Sequence, residues 1–222
     1  MNSGDAKFLY ARGNAQKNEG DLDGAIKSYK QAIDIRPDYA EAFSNLGNAQ
    51  KRKGEIDAAI ESYRLAIKCN PSLFVAFYNM GNAQQIKGDL NDALQSFQSA
   101  LKLKPDFVEA HINLGNIQQM LGDLSKAIQS FENALKLRPD LVEAHFNLGN
   151  IQLHQGNNET ALASFKNALA LKPDFIEVLV AMGLALVNQG KLDEAIETYE
   201  EAIRLKPDHA EALNDLGNAL KA

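Results

Sequence analysis

Asparagine recurs in this chain on a fixed interval: Asn45, Asn79, Asn113 and Asn147 stand 34 residues apart, and Asn14, Asn48, Asn82, Asn116, Asn150 and Asn218 form a second row on the same spacing. A side-chain amide carries donor and acceptor together, so a row of amides on one surface can grip the backbone of an extended polypeptide without reading its side chains. The same residues have a purely structural use, hydrogen bonding one helix to the next, and the spacing is compatible with both. Other chemistry is sparse. His111 and His145 share one column of the repetition, but neither has a carboxylate or thiol at metal-ligand spacing, so both read as packed side chains. His154 is expected at the edge of a binding face and His209 in a turn. Cys69 is the one cysteine and stands where other repeats have Ile or Leu; it excludes an intramolecular disulfide and is expected to act as a small buried hydrophobe. The stretch from Gly183 to Lys191 fails as a phosphate loop, because six residues separate its glycines and Leu192 replaces the required Ser or Thr. Asn158-Glu159-Thr160 matches a glycosylation acceptor by chance alone if the chain is not secreted. No nucleophile, base and orienting group stand together, so neither catalysis, a cofactor nor a metal is expected.

The elements that position these residues follow from the same interval. Pro139 aligns with Pro37, Pro71, Pro105, Pro173 and Pro207, and Gly115 and Gly122 recur likewise, with no insertion in the register. A short unbroken period replaces the expectation of one or two globular domains with an array. Within residues 108 to 141, Asp106 and Glu109 read as a capping box that starts a helix near Val108, with Ala110, Leu114, Ile117 and Leu121 on its apolar face. Gly122 ends it in the left-handed conformation. Ser125, like Asp23, Asp57, Asn91 and Asp193 elsewhere, is expected to cap a second helix carrying Ile128, Phe131, Leu135 and Leu137, which stops before Pro139. Gly115, Ala127 and Ala134 are small where the two backbones approach, and an always aromatic column (Tyr29, Tyr63, Phe97, Phe131, Phe165, Tyr199) fills the gap.

Gly115, Gly122, Ala127, Phe131, Ala134 and Pro139 lie at the signature positions of the tetratricopeptide repeat, which the chain resembles over nearly its whole length. The resemblance implies an all-α, right-handed superhelix in one array over residues 1–222. Its six hairpins span 6–39, 40–73, 74–107, 108–141, 142–175 and 176–209, and residues 210–222 form a solvating or truncated first helix. It also implies a concave groove lined by the first helices. The phrases SNLGN and LKPDF are most similar to repeats of O-linked N-acetylglucosamine transferases, where such asparagines contact substrate polypeptide. Ala11, Ala181 and Asp215 interrupt the first row, which places the expected peptide track in repeats two to five. A Lys and Arg clamp for the C-terminal carboxylates of chaperone tails is not expected, because Val75 and Asn79 occupy its places.

Columns that vary between repeats give the expected groove its character. Lys17, Lys51 and Arg52 lie early, and Tyr78, Ile86, Ile112, Met120, Phe146, Leu153, Val180 and Val187 follow. Residues 6 to 73 hold eleven Lys/Arg against nine Asp/Glu, whereas 176 to 222 hold four against nine, within a net charge of -6. The expected partner is therefore an extended polypeptide, acidic toward one end and apolar beyond. Cations cluster only at Lys51 to Lys53, which argues against nucleic acid. No apolar run is long enough to span a bilayer, and a reducing, cytoplasmic setting is expected. Two other functions stay open: the substrate-recognition arm of a larger enzyme of glycosyltransferase type, and a module that self-associates through its ends, where Phe8 and Leu9 are expected to be exposed.

Overall fold

The structure, a computed structural model, describes residues 3–222, and all regular structure among them is helical. Its contacts group into two units, the first ending at Leu121 and the second running from Gly122 to Ala222. The first unit contains α1 (Ser3–Glu19), α2 (Leu22–Ile35), α3 (Ala40–Arg52), α4 (Ile56–Cys69), α5 (Phe74–Lys87), α6 (Leu90–Leu103) and α7 (Val108–Met120). The second contains α8 (Leu124–Leu137), α9 (Val142–His154), α10 (Asn158–Leu171), α11 (Ile176–Asn188), α12 (Leu192–Leu205) and α13 (Ala210–Ala219). Within each unit the helices pack as successive hairpins, α1 on α2, α3 on α4 and α5 on α6, then α9 on α10 and α11 on α12. First helices also touch the first helices two elements on, as α3 does with both α1 and α5. Among the described residues no helix is long and apolar enough to cross a membrane.

Local chemistry sets the hairpin geometry. Gly20, Gly54, Gly88, Gly122, Gly156 and Gly190 take φ between 75° and 90°, as the repeated glycine leads one to expect. The reversal is completed within one further residue: the amides of Asp21, Glu55, Asp89, Asn157 and Lys191 donate to carbonyls five residues back, the long bond of a Schellman closure. That tightness corrects the expected start of the second helices. Their caps are Asp21, Glu55, Asp89, Asp123, Asn157 and Lys191, two residues before Asp23, Ser125 and their equivalents, and only Asp21 and Asp123 accept an amide through the side chain. The capping boxes of the first helices are a second correction. Apolar residues hold the cap positions there, Tyr39, Leu73, Phe107, Leu141 and Phe175, with no side-chain cap bond. The preceding turn is closed by backbone instead, as in Tyr39 N–H to Arg36 C=O at 3.1 Å, which leaves the first-turn Glu41, Glu109, Glu143 and Glu177 to act on the helix dipole.

Each hairpin closes over a ring. A Cβ on Gly13, Gly47, Gly81 or Gly149 would come within 2.6, 2.6, 2.8 or 2.5 Å of the rings of Tyr29, Tyr63, Phe97 or Phe165, so glycine there is a requirement of packing. The rings are fully buried. Beside them runs a polar clasp that the periodicity alone did not reveal: Ser28, Ser62, Ser96 and Ser164 donate through Oγ to Gln16, Gln50, Gln84 and Gln152 at 2.6 to 2.8 Å. In the sixth repeat Leu186 replaces the glutamine, and Thr198 replaces the serine and donates to the Glu194 carbonyl at 2.7 Å instead.

Candidate polypeptide-binding face

Both asparagine rows lie on first helices and are half-buried, except Asn218, which is exposed. In the first unit the rows are bonded to each other and to tyrosines. Asn14 Oδ1 accepts from Tyr29 Oη at 2.8 Å and from Asn45 Nδ2 at 2.9 Å, and Asn45 Nδ2 also donates to Tyr10 Oη at 2.9 Å. Asn48 Oδ1 accepts from Tyr63 Oη at 2.8 Å, while Asn48 Nδ2 approaches Asn45 Oδ1 at 3.4 Å. Where the hairpin aromatic is Phe97 and has no hydroxyl, Asn82 Oδ1 accepts from Asn113 Nδ2 at 2.8 Å, and Asn113 Nδ2 also reaches Tyr78 Oη at 3.3 Å. The structural use of these residues is therefore real.

The same bonds orient the amides. Asn45 and Asn113 spend both protons of Nδ2 inside the protein and keep acceptor capacity at Oδ1; Asn48 and Asn82 turn Oδ1 inward and keep protons on Nδ2. Asn79 has no hydrogen-bond partner among the described residues. Asn116 and Asn147 also have interaction partners, and Asn150 lies half-buried in the second unit.

The remaining residues of the expected groove are less uniform. Arg52 Nη1 donates to the Lys17 carbonyl at 2.9 Å and so closes the last turn of α1. Lys51 is half-buried, and burial pulls its pKa down. Tyr78 is half-buried between Phe97 and Phe107, with centroids 5.8 and 4.7 Å away, and Phe146 lies between Phe165 and Phe175 at 6.4 and 5.1 Å. Ile112 is half-buried too, while Ile86 and Met120 stand 63% and 60% exposed at the ends of their helices. The histidines fall as packed residues: Nε2 of His111 donates to the Pro105 carbonyl and Nε2 of His145 to the Pro139 carbonyl, both at 2.9 Å. Cys69 is only half-buried, with Sγ 3.6 Å from the Pro37 carbonyl, because its column ends the second helix at the repeat junction.

Profiles described as TPR repeat match residues 13–54, 86–122, 120–156 and 183–222, and profiles described as tetratricopeptide repeat match 40–73, 142–175 and 62–95. The chain belongs to the tetratricopeptide repeat family. No curated protein sequence matches it. Among solved structures it is similar to YrrB, described as a TPR protein with an unusual peptide-binding site, at 24% identity and a TM-score of 0.78, over 86% of this chain and 98% of that one. It is similar to MamA at 25% identity and a TM-score of 0.73, over 78% and 94%. PilF of Pseudomonas aeruginosa shares the fold at 18% identity and a TM-score of 0.78, over 97% and 98%.

Proposed function

We propose that the chain is a non-enzymatic interaction scaffold that binds an extended polypeptide segment across the face of its first helices. The observation that carries this reading is the orientation of the amides: first-row Asn45 and Asn113 offer acceptors, second-row Asn48 and Asn82 offer donors, and Asn79 offers both. An extended backbone presents N–H and C=O in alternation about every 3.3 Å, and needs both kinds of partner. That YrrB, of the same fold, has a peptide-binding site is consistent with this use. A few such bonds at about 0.5–1.5 kcal/mol each are too weak alone to offset the cost of ordering a peptide. Affinity therefore needs side-chain anchors, for which Tyr78, Ile112, Ile86 and Met120 of the first unit supply apolar surface, and Lys17 and Lys51 a preference for acidic residues at one end.

The test is capture of peptides from the source proteome by the wild type and by a variant carrying Asn45→Ala, Asn79→Ala and Asn113→Ala, both checked by circular dichroism. Loss of a peptide class from the folded variant supports the reading. Equal capture by both reduces the amides to structural bonds, and no capture by the wild type removes the reading. A second reading, self-association, draws on Phe8 at 68% and Leu220 at 64% exposure near opposite ends of the described chain. A mass by light scattering that is independent of concentration would exclude it.

A further inference from the structure

One position on this face breaks the packing rule of its own column. Residue 10 and its equivalents are Tyr10, Ser44, Tyr78, Ile112, Phe146 and Val180. Where the column holds a ring, that ring sits between the aromatic of its own hairpin and the aromatic that caps the next first helix: Tyr10 is 6.0 Å from Tyr29 and 4.9 Å from Tyr39, and Tyr78 and Phe146 repeat the arrangement. In the second repeat the flanking residues are Tyr63 and Leu73, and Ser44 supplies a hydroxyl where the ring should be. A recess of ≈ 190 Å³ opens there, lined by Tyr10, Ser44, Leu73, Val75 and Asn79 among others. A cavity of about 150 Å³ is enough to take a benzene ring. Ser44 is 7% exposed and has no hydrogen-bond partner among the described residues, and neither does the amide of Asn79.

Charge near the recess has a direction. Glu41, which also lines it, precedes Ser44 by one helical turn and lies 3.7 Å from Arg36. Lys51 follows Ser44 by seven residues on the same helical stripe as Asn48, about 10 Å along α3. Lys51 is half-buried and no carboxylate among the described residues pairs with it. An extended chain advances about 3.3 Å per residue and covers that distance in roughly three residues.

We infer that the recess at Ser44 receives one aromatic side chain of the bound segment, and that a carboxylate about three residues from that aromatic neutralises Lys51. The guest ring packs on Leu73 and Val75 beside Ser44, which stands in the column of Tyr10, Tyr78 and Phe146, and the unpaired amide of Asn79 also lines the recess. This inference rests on the binding reading above and names the sequence class it selects.

The probe is a set of fluorescein-labelled Gly/Ser peptides, each carrying one Phe or Tyr and one Glu at separations of one to five residues, followed by fluorescence polarisation. Affinity is expected to peak near a separation of three and to fall about tenfold when the aromatic becomes Ala. Ser44→Phe, which restores the column's ring, is expected to melt no lower than the wild type and to lose the aromatic preference; Lys51→Gln is expected to lose the Glu preference and its salt dependence. An unchanged aromatic preference in folded Ser44→Phe overturns the inference. So does the absence of binding to the whole set by a protein that still captures proteome peptides through its amides, and in that case the binding reading survives. A wild type that captures neither set overturns both.

Discussion

The hydroxyls of Tyr29 and Tyr63 stand at the junction of packing and site, since each sits on a buried ring and donates to a second-row asparagine. Burial pushes both phenols far above the ordinary 10.0, and Tyr199 is pushed up to about 12 by burial first and by Asp215 and Glu211 second. Because the folded state holds these protons where the unfolded state releases them, their contribution is complete below pH 10 and is lost as pH rises toward the folded values. Urea midpoints are expected to fall as pH rises from about 10 to about 12, and to fall less steeply in Tyr63→Phe. At neutral pH that variant is expected to lose about 1 kcal/mol, the worth of one buried hydrogen bond. Gly149→Ala tests the other side of the ring: with Phe165 only 2.5 Å from the new Cβ, overpacking should cost about 1–3 kcal/mol in denaturant unfolding. The glycine and aromatic columns were legible in the sequence because each stays invariant in type. The tyrosine-to-asparagine bonds were not, since an aromatic column reads the same to packing whether or not it carries a hydroxyl.

At the level of the helix, the all-helical repeat was legible in the sequence, while the residues expected as caps are not those the structure uses. Asp, Ser or Glu near a helix start reads as a cap from spacing alone, but the left-handed glycine reverses the chain in so few residues that the cap moves to the residue directly after it. The Gln-to-Ser clasp had a signal that spacing could have found, since both residues change together in the sixth repeat to Leu186 and Thr198. Its energetics are testable. Gln84→Leu leaves the buried Ser96 hydroxyl without its acceptor and should cost about 1–3 kcal/mol, whereas adding Ser96→Ala should return part of that loss. A double-mutant cycle read by urea unfolding measures the coupling, expected at roughly 0.5–3 kcal/mol. Additive single effects would mean that glutamine and serine act independently.

Across the molecule, stability is the sum of hairpins and of the junctions between neighbours. Helices α1 and α13 pack against helices on one side only within their units, and native-state hydrogen exchange is expected to be faster there than in α3 to α6 or α9 to α12. Equal protection throughout would contradict that distribution. Function is less legible than fold because repetition encodes packing, while a binding face is encoded by departures from it. Ser44 in a column of larger residues is such a departure, and a recess opens beside it. In the proposed binding mode, first-helix amides contact a bound backbone. The direct measurement is the side-chain amide spectrum of ¹⁵N-labelled protein titrated with a captured peptide, with Asn79, Asn48 and Asn82 assigned by substitution. Shifts that saturate together at those amides, with the fully bonded Asn45 Nδ2 moving less, are the result the account predicts. Saturated binding that leaves all of these amide signals in place would contradict it.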